Sequence, residues 1–140
     1  MRTISVFVVG LLLAVVLGGA PVSAYNGIEL SYASVGNFTL IDQNNSEYKL
    51  SDATEEIVVV SFFFTRCPDV CPVITQNLKL VHDTLPEELE DNVGFVAITL
   101  DPKYDTPEVL AEYMARHGVD WPHLTGPTED VKDVWSRFAI

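Results

Sequence analysis

The sequence predicts an α/β fold, a central and largely parallel sheet layered with helices. Three observations carry the prediction. Ile57–Phe64 (IVVVSFFF) is a continuous run of β-branched and aromatic residues, as in a strand buried on both faces, and Val93–Leu100 (VGFVAITL) reads the same way. The segments that follow them space their apolar residues three and four positions apart, the period of an amphipathic helix. Strands that alternate with helices run parallel, because each crossover returns the chain to the same end of the sheet. The 140 residues leave room for one domain and no second.

Local signals order the elements. Residues 25–36 (YNGIELSYASVG) have little periodicity and read as a polar linker. Phe38–Ile41 and Tyr48–Leu50 flank Asn44-Asn45, which predicts a small hairpin turning at the asparagines. After the first buried strand, Val70, Val73/Ile74, Leu78, Val81 and Leu85 recur at helical spacing. After the second, Asp105-Thr106-Pro107-Glu108 opens a helix: Thr106 can cap it, Pro107 fits its first turn and Glu108 suits the dipole. That helix packs Val109, Leu110, Tyr113 and Met114, and stops at Gly118. Trp121–Thr125 reads as a short strand and Glu129–Phe138 as a last amphipathic helix, with Trp121 and Trp135 expected in the core.

Composition excludes several classes. At 48% hydrophobic and 20% charged, the chain is not wholly disordered. A net charge of −12 gives no basic face for nucleic acid and implies a solvated acidic surface. Two cysteines are too few for a disulfide-stapled mini-protein or a four-cysteine zinc site. There is no repeat, no glycine-rich phosphate loop, no Ser/His/Asp set and no paired-carboxylate hydrolase signature. At the N-terminus, Arg2 precedes the 17 uncharged residues Ile4–Ala20, and Val22-Ser23-Ala24 follows. Residues 1–24 are a signal peptide cleaved after Ala24, or an uncleaved membrane anchor, since 17 residues is the short limit of a spanning helix. Either places the rest outside the cytoplasm, in the periplasm or on the outer face of the cytoplasmic membrane, where a cysteine pair can be oxidised.

Chemistry concentrates in Phe62–Pro72 (FFFTRCPDVCP), where a strand hands over to a helix. Cys67 is expected at the helix N-terminus, where free N–H groups and the dipole favour a thiolate, with Arg66 as a positive neighbour. Cys71, four residues on, lies one turn away on the same face. Two such sulfurs form a reversible disulfide or hold a soft ion such as Cu(I). Asp101 and Asp105 bracket a loop at the carboxyl end of the second buried strand, where functional groups of open α/β sheets gather. They either act near the thiols or, in the case of Asp105-Thr106, cap the helix. Tyr104 in that loop is a partner contact or a cover over the sheet edge.

TRCPDVCP after an apolar strand, DPKYDTPE (Asp101–Glu108) beginning 30 residues beyond Cys71, and then Leu124-Thr125-Gly126 together resemble the Sco/SenC family over residues 37–140. Those are thioredoxin-like copper-delivery proteins that assemble the CuA centre of cytochrome c oxidase. The resemblance implies a thioredoxin-like fold, export, a membrane tether, and a copper site made by Cys67, Cys71 and a histidine. It also implies an oxidase copper-binding subunit as recipient, with a copper donor protein or a thioredoxin-like reductant as further partners. The family's histidine lies well after the Leu-Thr-Gly segment, so residues 37–140 are expected to lack the third ligand, the closing strand and the last helix.

The histidines present are poor substitutes. His82 lies 11 residues along the helix from Cys71, about 16 Å at 1.5 Å per residue. His117 ends the next helix, where a C-terminal cation explains it. His123, in the Trp-Pro-His-Leu-Thr strand, is the least poor substitute of the three. The leading expectation is a copper metallochaperone. The alternative is a thiol–disulfide oxidoreductase that keeps oxidase cysteines reduced, with Cys67 and Cys71 as its redox pair. The C-x3-C spacing, one full helical turn instead of the tighter C-x-x-C, favours copper.

Overall fold

The computed structural model describes residues 34–140, so the expected signal or anchor at 1–24 and most of the linker at 25–36 lie outside the described residues. The hairpin forms where expected. β1 (Thr39–Asp42) and β2 (Glu47–Lys49) pair antiparallel, and the Asp42 carboxylate accepts the backbone N–H groups of Asn44 and Ser46 at 2.8 Å each. Asn45 takes a left-handed conformation (φ 59°), which asparagine tolerates better than most residues.

β3 (Ile57–Phe63), α1 (Val70–Asp83), β4 (Val93–Thr99), α3 (Pro107–His117), β5 (His123–Thr125) and α4 (Thr128–Arg137) follow in the expected alternation. A four-residue helix, α2 (Glu87–Glu90), interrupts the α1–β4 connection. Its sequence, EELE, is too short to show a period. The sheet order is β2-β1-β5-β4-β3. β3, β4 and β5 are parallel, and β1 runs antiparallel to both β5 and β2, so the sheet is mixed and largely parallel.

β4 explains the layering. Phe95 and Ala97 enter one core cluster with Phe63, Cys67, Cys71, Leu110, Tyr113 and Trp121, so α1 and α3 cover that face. Val96 and Ile98 enter the other with Leu40, Leu124, Val131 and Val134, which α4 covers. α3 begins and ends on its expected residues: Thr106 Oγ1 accepts the Val109 N–H at 3.4 Å, Pro107 is its first residue, and Gly118 closes it at φ 65°.

Two expectations are corrected. β3 was expected to be buried on both faces, but only Phe63 is buried outright, and Ile57 is exposed. Its residues do alternate between the two clusters, yet among the described residues β3 is the edge of the sheet, so its outer flank meets solvent. The apolar stripe of α1 does not define its inner face: Val70, Val73, Ile74 and Val81 are exposed, while Cys71 and Thr75 are buried and Leu78 packs partly. The helix is rotated about one position, because Thr75 is hydrogen-bonded to the Tyr113 hydroxyl and His82 packs edge-on against Phe95 and at a tilt against Trp121.

Candidate functional site

β3 ends at Phe63, and the chain turns through Phe64–Asp69 before α1 begins. The Cys67 N–H donates to the Phe64 carbonyl at 3.1 Å, closing that turn. Cys67 therefore precedes the helix and is not in it, whereas Cys71 is its second residue. The two sulfurs still meet at one place, because the Cys71 N–H donates to Cys67 Sγ at 3.5 Å. Both cysteines are free and buried.

Their environments differ. Backbone N–H groups of Asp69, Cys71 and Val70 point at Cys67 Sγ and hold its thiol below the ordinary cysteine value. Burial pushes the Cys71 thiol up, and the Cys67 sulfur and the Asp105 carboxylate add to that. The site thus presents one sulfur biased towards thiolate and one that stays protonated until a cation or an oxidant draws on it. Arg66, expected beside Cys67 as a positive charge, is engaged elsewhere. It donates to Asp101 at 2.6 Å and lies 3.9 Å over the Tyr104 ring. The amides at the start of α1, also expected from the sequence, lower the Cys67 thiol without it.

Tyr104 is accordingly a stacking platform for Arg66, 45% exposed at the surface. Asp105 is no cap. It is fully buried, and its oxygens accept from the Thr65 N–H (3.2 Å), the Thr65 hydroxyl and the Thr99 hydroxyl (2.5 Å each). Thr65, Thr99 and Thr75 were not singled out from the sequence. Threonines ending two adjacent parallel strands, with an aspartate in the loop beyond, were the available signal for the first two. Thr75 donates to the Cys71 carbonyl at 3.0 Å and meets the Tyr113 hydroxyl at 2.8 Å, which ties α3 to the first turns of α1.

No histidine joins the thiols. His82 packs against the rings of Phe95 and Trp121, and its Nδ1 lies 3.2 Å from the Asp83 carboxylate. His117 lies 4.3 Å from the Tyr113 ring, and Gln76 donates to its carbonyl. His123 is 1% exposed, and its Nδ1 sits 2.9 Å from the Trp121 carbonyl oxygen, which assigns the proton to Nδ1. Burial lowers its pKa to about 4. Among the described residues no three His, Cys, Asp or Glu side chains gather around a common point. Among the described residues, the soft donors brought together are the two cysteine sulfurs.

Known proteins resemble this chain in sequence and in fold. The family model described as SCO1/SenC matches residues 28–140. A SCO2-like protein of Rickettsia prowazekii is 36% identical over 105 residues, 75% of this chain and 51% of the relative. The crystal structure of yeast Sco1 with copper bound superposes with a TM-score of 0.68 at 30% identity, covering 75% of this chain and 58% of the yeast chain. Apo Sco1 of Thermus thermophilus in solution superposes with a TM-score of 0.70 at 30% identity, covering 81% of this chain and 65% of its own. The chain spans about half the length of the curated relatives it matches first. The mixed sheet, with helices on both faces and the cysteine loop at the carboxyl end of its edge strand, is thioredoxin-like, and the chain belongs to the SCO1/SenC family.

Proposed function

We propose that this chain is a copper-delivery module in which Cys67 and Cys71 take up Cu(I) and hand it to the copper-binding subunit of cytochrome c oxidase as the CuA centre is assembled. The observation that carries the reading is the pair of free thiols one helical turn apart, with Cys67 Sγ on the first amides of α1. Cys67 offers the first sulfur as thiolate. Cys71 gives up its proton as the cation arrives, since a bound positive charge offsets the burial and the neighbouring carboxylate that raise it. Two-coordinate sulfur ligation leaves the ion open to attack by a recipient's thiols, so transfer proceeds by ligand exchange without a redox step. The copper-bound yeast relative supports copper as the cargo. Residues 1–24 supply export or a membrane tether in this proposal and place the domain on the side where the oxidase copper site is filled.

A thiol–disulfide oxidoreductase is the second reading, favoured by one observation: the thiols are unequal, with Cys67 activated and Cys71 buried as a resolving partner. Bound copper and a disulfide use the same sulfurs, so one experiment separates the two. The reduced, Cu(I)-loaded protein is mixed with the soluble copper-binding domain of an oxidase subunit, first with that domain's cysteines reduced and then with them oxidised. Copper moving to the reduced domain supports delivery. Thiol exchange with the oxidised domain and no copper movement overturns it in favour of the reductase.

A further inference from the structure

Asp105 is a fully buried carboxylate whose partners lie in two separate segments. Its Oδ1 accepts the Thr65 hydroxyl, and its Oδ2 accepts both the Thr65 N–H and the Thr99 hydroxyl. Thr99 is the last residue of β4, and its oxygen also accepts the Asp101 N–H at 2.9 Å. Thr65 stands two residues before Cys67, in the turn that carries the first sulfur. All three groups donate to the carboxylate, and an amide in its place would require one of the threonine hydroxyls to turn and accept. No Lys or Arg pairs with Asp105 among the described residues, and the nearest guanidinium, Arg66, is taken by Asp101. A buried carboxylate is costly to keep unless its hydrogen bonds serve the structure around it. Here they fasten the Cys67 turn to the end of the neighbouring strand.

We propose that Asp105 is a positioning residue for the cysteine pair: by clamping Thr65 it holds Cys67 Sγ against the first amides of α1, and so sets both the Cu(I) affinity and the disulfide equilibrium of Cys67 and Cys71. The copper half rests on the proposed delivery function, and the disulfide half does not. The hydrogen bond from the Cys71 N–H to Cys67 Sγ, 3.5 Å long, depends on the turn being held in register, and it favours the reduced, ligating form. A slack turn loses it, which weakens metal binding and favours the disulfide.

The test uses the full chain in dithiothreitol redox buffers. Oxidised dithiothreitol accepts two electrons and two protons from the Cys67 and Cys71 thiols, leaving a Sγ–Sγ bond in the protein and the reduced dithiol in solution. Asp105→Asn sets an amide against three donors, and Thr65→Val removes one donor with little change of shape. Both are expected to shift the equilibrium at least threefold towards the protein disulfide, about 14 mV at 29.6 mV per tenfold. Both should also weaken Cu(I) binding at least threefold in competition with a chelator. Thr65→Ser, which keeps the hydroxyl, restores wild-type values. Val131→Ala, buried under α4 on the opposite face, lowers the melting temperature and leaves the potential unchanged. If Asp105→Asn fails to fold, Thr65→Val decides. Wild-type potential and affinity in a folded Thr65→Val overturn the proposal, and so does an equal shift in Val131→Ala. If the wild type binds no Cu(I), the delivery reading fails while the potentials still report on Asp105.

Discussion

His123 makes the stability of this domain depend on pH, and the size of the effect follows from its surroundings. The ring is 1% exposed, packed among Phe63, Tyr113 and Trp121, and its pKa is lowered to about 4 from 6.5. Between those values the unfolded chain binds a proton that the folded chain refuses. The contribution is therefore fully present above pH 6.5 and is lost as pH falls towards 4. Integrating the linkage from pH 7 down to pH 5 with these two values gives a loss of about 2 kcal/mol from this one residue. His123→Asn keeps an N–H donor near the Trp121 carbonyl and removes the titration. Urea unfolding of both proteins at pH 7 and pH 5 isolates the effect, because each variant serves as its own reference and His117 titrates in both. The wild type should lose about 2 kcal/mol more than His123→Asn between the two pH values. Equal losses would show that the imidazole is solvated or charged in the folded state, and the reasoning from burial would fail.

Other outcomes follow from single contacts. Below the ordinary cysteine pKa, iodoacetamide should label Cys67 ahead of Cys71, as read by peptide mass spectrometry, since amides favour one thiolate and burial disfavours the other; equal rates contradict the asymmetry. Tyr113→Phe removes the buried hydroxyl that meets Thr75 and should cost about 1 kcal/mol in urea unfolding. Gly118→Ala places a Cβ at φ 65° at the end of α3 and should cost about 1 kcal/mol, read from the same transition. Leu110→Ala, at full burial between α3 and the sheet, should cost about 2–5 kcal/mol, and a loss below 1 kcal/mol would show that the core there is loosely packed.

Much of the architecture was legible because local chemistry and tertiary structure agree. The Thr106–Pro107 start and the Gly118 stop of α3 are set by groups within a few residues, and the Asn44-Asn45 turn by the Asp42 side chain beside it. The rotation of α1 was not legible, since the hydrophobic stripe of Val70, Val73, Ile74 and Val81 points one way while contacts with α3 and β4 turn Cys71 and Thr75 inward. The edge position of β3 also depends on strand order, which no local run of residues reports. At the site, the cysteine spacing placed both thiols at one turn and the helix start pointed to the amides near Cys67, but the part expected of Arg66 did not hold. Arg66 is adjacent in sequence, yet Asp101 and Tyr104, both more than 30 residues away, claim its guanidinium. Asp105 reads in the sequence either as a helix cap, because Thr106 follows it, or as a carboxylate near the thiols. Its burial against Thr65 and Thr99 appears only once β3 and β4 lie side by side.

The proposed delivery function requires that Cys67 and Cys71 together form a Cu(I) site, with no third protein ligand drawn from residues 34–140. A competition titration of the fully reduced chain against a chromogenic Cu(I) chelator tests it most directly, run in parallel on Cys67→Ser, Cys71→Ser and His123→Asn. The account predicts one Cu(I) per wild-type chain, binding lost in each serine variant, and affinity unchanged in His123→Asn. Retention of wild-type affinity in either serine variant, or its loss in His123→Asn, would contradict the two-sulfur site.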